Sequence, residues 1–193
     1  MKLHASSEEG KFGYQDDSFK WVIPPTFEDA RNFREGLGCV KLNGKYGYIR
    51  EDGSFRIPPI FDFADSFWGG RACIMIDGKY GFIDPDGKTV IFPIFEEAAF
   101  FWNREYAVVT LNGKKGWIKK DGSYLVEPLY DDTFHHRKWI EVYKDGKYGV
   151  LSADGKMIAP CIFDQLETLR GDDNVYVRYG DDWFRIPLQG PFD

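Results

Sequence analysis

The residues in this sequence whose types suit chemistry are three cysteines, three histidines, and lysine and carboxylate side chains that recur along the chain. A thiol nucleophile needs a base beside it and an electropositive pocket to hold the thiolate. Cys39, Cys73 and Cys161 have no such companions in sequence. Cys39 and Cys73 stand five residues before a recurring glycine, where other copies place Val108 and Val175, so a small buried apolar role is expected of them. The three thiols form no close-spaced pair, which fits a reducing cytoplasm. His135 and His136 are adjacent, and adjacent residues on a strand point to opposite faces, so they are not expected to share a metal. His4 stands alone near the N-terminus. No phosphate-binding loop, triad or metal-ligand spacing is readable. No catalytic residue, metal site or cofactor is assigned.

The lysines and carboxylates lead back to the elements that position them, because they recur with a repeat. Gly10-Lys11-Phe12-Gly13-Tyr14 returns at Gly44, Gly78, Gly113 and Gly146, with spacings of 34, 34, 35 and 33. An Asp-Gly step follows at Asp52-Gly53, Asp86-Gly87, Asp121-Gly122 and Asp154-Gly155; the first copy has Asp17-Ser18 instead. Then come Pro25, Pro59, Pro93 and Pro128, with Cys161 in that place in the fifth copy. An aromatic and an acid close each copy: Phe27-Glu28, Phe61-Asp62, Phe95-Glu96, Tyr130-Asp131 and Phe163-Asp164. The steps Asn43-Gly44, Asp77-Gly78, Asn112-Gly113 and Asp145-Gly146 predict type I′ hairpin turns, since both central residues need φ > 0. The interior glycine of each motif predicts close backbone packing or a bulge. The prolines predict strand ends or edge strands. About three short antiparallel strands per copy are expected, with a bend or 3₁₀ turn connecting copies. One such unit cannot bury enough apolar surface alone, whereas stacked neighbours can.

At these residues the sequence resembles the WG-repeat family, also called KWG repeats, over about residues 10 to 180. The family's tryptophan is absent from the third motif position, where Phe12, Tyr46, Tyr80, Lys115 and Tyr148 stand. The resemblance implies a mostly bacterial, β-rich array of interaction modules with no shared catalytic residue. Some members accompany toxin or effector systems, which implies an immunity-like role. The expected fold is all-β: a tandem array of short antiparallel strands and hairpins, elongated or twisted, in a single domain. It divides into an N-terminal cap (1–9), five repeats (10–43, 44–77, 78–112, 113–145, 146–179) and a truncated sixth repeat (180–193).

A repeat separates scaffold from site, because columns filled alike in every copy are structural and exposed columns that vary are candidates for contact. The recurring lysines and acids are therefore read as local ion pairs or turn hydrogen bonds. His136 aligns with Phe33, Phe67, Phe101 and Leu169 and is expected to be partly buried. The next column reads Arg34, Trp68, Trp102, Arg137 and Arg170, residue types enriched at binding hot spots. With His136 and Trp139, these are the candidate partner-binding residues.

The net charge is −6, which does not attract phosphate backbones and suits a basic partner. The N-terminus lacks the apolar core of a signal peptide, and no apolar stretch is long enough to span a bilayer. The expectation is a cytoplasmic, non-enzymatic protein-binding module, a monomer or weak dimer. Its sharpest form is an immunity-type inhibitor of a basic toxin or effector, without nucleic-acid or membrane partners. Carbohydrate or cell-wall binding through exposed aromatics is one alternative. An enzyme with its site at a repeat irregularity, around His135-His136 or Gly171-Asp172-Asp173, is another.

Overall fold

The computed structural model describes residues 2–101, 105–136, 138–168 and 174–188. Among these residues there is no helix, and the strands form six antiparallel sheets. The first contains β1 (His4–Glu8), β2 (Lys11–Gln15) and β3 (Trp21–Phe27). The second runs β4 (Asp29–Ala30), β5 (Gly38–Leu42), β6 (Lys45–Ile49) and β7 (Phe55–Phe61). The third runs β8 (Phe63–Ala64), β9 (Ala72–Ile76), β10 (Lys79–Ile83) and β11 (Thr89–Phe95). The fourth runs β12 (Glu97–Ala98), β13 (Tyr106–Leu111), β14 (Lys114–Lys119) and β15 (Tyr124–Tyr130). The fifth runs β16 (Asp132–His135), β17 (Trp139–Lys144), β18 (Lys147–Ser152) and β19 (Met157–Phe163). The last contains β20 (Gln165–Thr168), β21 (Asn174–Tyr179) and β22 (Asp182–Pro187). The chain divides into two compact units, Met1–Val109 with Ile118–Ser123, and Thr110–Trp117 with Tyr124–Asp193.

Each full sheet has four strands rather than three. The connecting segment, expected as a bend, supplies a short inner strand instead: two residues in β4, β8 and β12, and four in β16. The sheets are also offset from the sequence frame. The leading glycine lies in the hairpin turn between two paired strands, so a sheet begins after the acid and closes on the next aromatic. The hairpin turns have the expected left-handed pairs, with φ of 52° and 78° at Asn43-Gly44 and 50° and 73° at Asp77-Gly78.

The prolines do not end their strands. Each outer strand runs seven residues through its proline and forms the sheet edge, where a missing N–H is tolerated. A register shift accompanies them: Tyr46 opposes Phe61 but Tyr48 opposes Ile57. The backbone of the bulge lies directly over the interior glycine. A Cβ on Gly47 would meet the Ile57 carbonyl oxygen and the Pro59 nitrogen at 2.7 Å, and one on Gly116 would meet the Val126 oxygen at 2.6 Å.

The residue after that glycine points into the core. Tyr14, Tyr48 and Phe82 are fully buried. The Tyr14 hydroxyl donates to the Arg31 carbonyl at 2.8 Å, and the Tyr48 hydroxyl to the Asp65 carbonyl at 2.6 Å. Burial pushes both phenols well above their ordinary range. Such a ring removes roughly 150–250 Å² from water, an upper bound of about 4–6 kcal/mol per ring. In the first unit Tyr48 joins Ile57, Phe61, Phe67, Ile74 and Ile83 in one cluster. In the second unit Val126, Ile140, Val142 and Leu151 form another.

The recurring lysines and acids are scaffold, as the repeat predicts. Lys45 pairs with Asp62, Lys114 with Asp131 and Lys147 with Asp164. Each acid's second oxygen accepts an amide from the next hairpin turn: Asp77 N–H at 2.8 Å, Asp145 N–H at 2.8 Å and Gly180 N–H at 2.9 Å. The acid therefore ties a strand of its own sheet to the turn of the following one.

Two outcomes follow from this geometry. Gly47→Ala is expected to cost upward of about 3 kcal/mol, since the overlap is with backbone. Gly44→Ala has open space around it and should cost only about 1–2 kcal/mol for its left-handed φ. Urea denaturation of the two variants measures both, and equal costs would contradict the close approach. The second outcome concerns acid. Asp62, Asp131 and Asp164 are held below the usual carboxylate range, first by the lysine and then by the turn amide. A depressed folded pKa gives stability that is present above the unfolded value of about 3.9 and lost as pH falls through the folded value. Thermal melts should show Tm falling as pH drops from about 5 to about 2, less steeply in Lys147→Met than in wild type.

Candidate functional site

The columns that differ between copies sit on the loop between each inner strand and its hairpin. The loop closes on one backbone pattern: Arg34 N–H donates to Leu37 O at 2.9 Å, Trp68 N–H to Arg71 O at 2.8 Å and His136 N–H to Trp139 O at 2.9 Å. Just before it lies a ring packed on the buried aromatic of the preceding hairpin. Phe33 meets Tyr14 at 4.7 Å, Phe67 meets Tyr48 at 4.8 Å and Phe101 meets Phe82 at 5.1 Å.

In the second unit His135 takes that place, 5.3 Å from Trp117, and His136 falls in the column of Arg34 and Trp68. This corrects the sequence alignment, which put His136 with the phenylalanines. The fourth connection is one residue shorter, with 33 rather than 34 residues between its leading glycines, which brings the loop one position forward. Burial pushes the half-buried His135 imidazole below its ordinary value. His136 lies parallel to the Trp139 indole at 3.8 Å, and its Nε2 is 3.2 Å from Glu141 Oε2. The two histidines thus lean on different rings.

Trp139 is corrected as well. It is 4% exposed and belongs to a core cluster with Val150, Ala159, Val175 and Val177, beneath the His136 ring. Its position matches that of the buried Leu37, which explains why it is inside. Trp102, Arg137 and Arg170 lie outside the described residues.

In the first unit the column forms a physical row. The Arg34 guanidinium carbon sits 4.6 Å from the centre of the half-buried Trp68 ring, a cation–π contact. Trp68 stacks on Phe100, with centroids 6.1 Å apart and planes 24° apart. Glu35 holds the loops together, accepting Gly69 N–H at 2.7 Å and Gly70 N–H at 2.9 Å. Arg71 continues the brace, donating to Gly70 O at 2.8 Å and Lys120 O at 2.9 Å. Arg34 is exposed and has no carboxylate partner among the described residues. It also borders a cleft of about 490 Å³ shared with Lys2, His4, Asn32 and Glu51. His4 is engaged by Asp17 at 3.0 Å, and Asn32 accepts the Ala5 amide at 3.0 Å, so the Lys2 ammonium and the Arg34 guanidinium are the cations bordering it without a carboxylate partner among the described residues.

Phe100 and Glu35 were not singled out from the sequence. Phe100 is hidden by the alignment, because it precedes the column it stacks on. Glu35 had a readable signal, an acid placed one repeat before the Gly69-Gly70 pair that it caps.

The thiols are not poised for attack. Cys39 and Cys73 are 1% and 3% exposed, and burial pushes both up to about 12. Cys161 is also raised by burial. Among the described residues no group of three or more His, Cys, Asp or Glu side chains is placed to hold a metal, and no helix is long and apolar enough to cross a membrane.

A family model described as WG containing repeat matches residues 12–46, 46–80 and 80–114 in tandem. No curated protein matches the chain. A crystal structure of the eukaryotic initiation factor is similar with a TM-score of 0.52 at 12% identity, covering 100% of this chain and 62% of that one. This likeness is one of fold alone. Dihydro-heme d1 dehydrogenase NirN in complex with DHE gives a TM-score of 0.48 at 9% identity, covering 91% of this chain and 48% of that one. The chain thus spans less than two thirds of these structures.

The two tryptophans should separate cleanly. Trp139→Ala removes a core ring and should cost about 3–5 kcal/mol. Trp68→Ala loses a half-exposed stack and should cost about 1 kcal/mol. Guanidinium denaturation of both variants reads the difference, and comparable costs would make Trp68 a core residue.

Proposed function

This chain belongs to the WG containing repeat family, and on that premise we propose that it is a non-catalytic protein-binding module whose contact surface is the loop row of Arg34, Trp68 and Phe100. The sharpest form of this reading is an immunity-type inhibitor of a bacterial toxin or effector, acting in the cytoplasm. One observation carries it. The recurring lysines, acids and cysteines are taken up by the scaffold, whereas the loop row differs from copy to copy and leaves a guanidinium and an indole edge facing solvent. Trp and Arg supply large contact area and directional hydrogen bonds, which is what a hot spot needs. The Glu35 and Arg71 braces hold the loops before a partner arrives, so less ordering entropy is lost on binding. The net charge of −6 would steer a basic partner at long range. A sugar platform is the weaker reading for this row, because Arg34 already lies over the Trp68 ring and Phe100 stacks on it.

The test compares wild type with Arg34→Ala/Trp68→Ala as bait in a lysate of the native cell, followed by titration of the purified captured protein. A stoichiometric partner whose Kd rises at least about tenfold in the variant, about 1.4 kcal/mol, supports the row as the contact. A partner that binds both baits equally refutes the row, and two empty baits count against the module reading.

A further inference from the structure

Among the described residues the last sheet has three strands. Every other sheet carries a seven-residue outer strand beside the second strand of its hairpin, but among the described residues nothing pairs with the outer side of β22. The hairpin register supplies the reason. Lys45 pairs with Leu42 and Asp182 with Tyr179, so the interior glycine, two residues on, corresponds to Phe184. Gly47 faces Val40 in its hairpin as Phe184 faces Val177. A Cβ at the glycine position would collide with the proline bulge of the outer strand. A strand of the kind used elsewhere in the chain cannot sit on β22; only a regular, unbulged strand can.

The register shift is visible in the turn. Gly180, which the sequence frame places with the leading glycines, takes the first turn position with φ of 62°. Counting from the Tyr179–Asp182 pair, Phe184 and Ile186 direct their backbone groups to β21, and Trp183 and Arg185 direct theirs outward. The edge carries two exposed aromatics between charged residues: Trp183 and Phe184 are 46% and 48% exposed, flanked by exposed Asp182 and Arg185.

We propose that the outer edge of β22 is a self-association surface, on which β22 of a second copy pairs antiparallel in a register centred on Phe184. Outward-facing residues must meet outward-facing residues, so Trp183 of each copy lies opposite Arg185 of the other. That arrangement makes two cross-strand cation–π pairs. Phe184 meets its own counterpart at the close, non-hydrogen-bonded position between them. Arg185 has Asp181 of the second copy on one diagonal and its own counterpart on the other, and no like charges stand directly opposite each other. A register centred on Trp183 would instead set Asp182 against Phe184 and run the ladder into the turn. A one-residue slip would present the inward-directed groups and lose the hydrogen bonds. An exposed, short, regular edge with exposed aromatics is the kind that pairs between chains unless something blocks it. This inference is independent of the loop row, which lies in the other compact unit.

Sedimentation equilibrium of the full chain tests it, alongside Arg185→Pro. The Arg185 amide points outward, so proline removes an intermolecular donor without touching the β21–β22 ladder. Wild type is expected to approach twice 22.3 kDa as concentration rises, and the variant to remain at 22.3 kDa with an unchanged far-UV spectrum. A second variant keeps the test open if proline disturbs folding. Phe184→Cys should cross-link between copies on mild oxidation, because a close antiparallel pair suits disulfide geometry. Trp183→Cys should cross-link far less, and wild type not at all. A wild-type chain monomeric at all concentrations, a dimer that persists in a folded Arg185→Pro, or cross-linking at 183 in preference to 184 would each overturn the proposal.

Discussion

The fold depends on one close approach, the proline-bulged outer strand resting on a glycine in the strand beside it. At Gly47 the outer backbone comes so near that even a methyl group has no room. This contact lets a seven-residue edge strand carry proline and still pair, because the bulge takes up the two extra residues. It also sets direction. With the glycine against the bulge, the following aromatic turns inward, fills the core and spends its hydroxyl on the connection ahead. The exception makes the same point. Where Phe184 replaces the glycine, no outer strand pairs with β22 among the described residues.

A second device links one sheet to the next without a buried charge. The acid closing each outer strand takes a lysine on one oxygen and the next hairpin amide on the other. Exposed ion pairs contribute little alone, but here the carboxylate also satisfies a turn amide that would otherwise rely on water. No charged side chain is buried among the described residues, so the aromatic core does not pay a desolvation cost for this joint. The lysines and acids act as fasteners in structure, as their recurrence in every copy implies. That leaves the loops as the place where copies differ chemically.

Much of this was legible because a repeat is a comparison within one chain. Hairpin turns, edge prolines, the packed glycine, the scaffold lysines and the buried cysteines all follow from residue type at a fixed spacing. What was not legible has local causes. Asp29–Ala30 and its counterparts are too short to show the alternation that marks a strand, so the fourth strand was missed. The His135-His136 alignment slipped because columns were counted from the preceding glycine, while the 33-residue spacing to Gly146 takes its missing residue out of the connection before the loop. Gly180 slipped for a related reason: it stands 34 residues after Gly146, as a leading glycine would, yet it takes the first turn position rather than the second. Trp139 looked like a surface hot spot by type alone, and only its burial against Val150, Val175 and Val177 shows that it faces the core. The Arg34–Trp68 contact needed three dimensions, because its partners are one full repeat apart.

The recurring columns build the scaffold, and the loop row adds little to it beyond the Arg34–Trp68–Phe100 stack. Abundance in cells of every single substitution in the full chain measures this most directly, since abundance tracks folding stability. The account predicts that the bulge glycines, the inward aromatics and Trp139 tolerate almost no replacement, while Arg34 and Trp68 accept most polar and apolar residues. A profile in which Arg34 and Trp68 are as intolerant as Gly47 would make the row part of the scaffold and contradict the account.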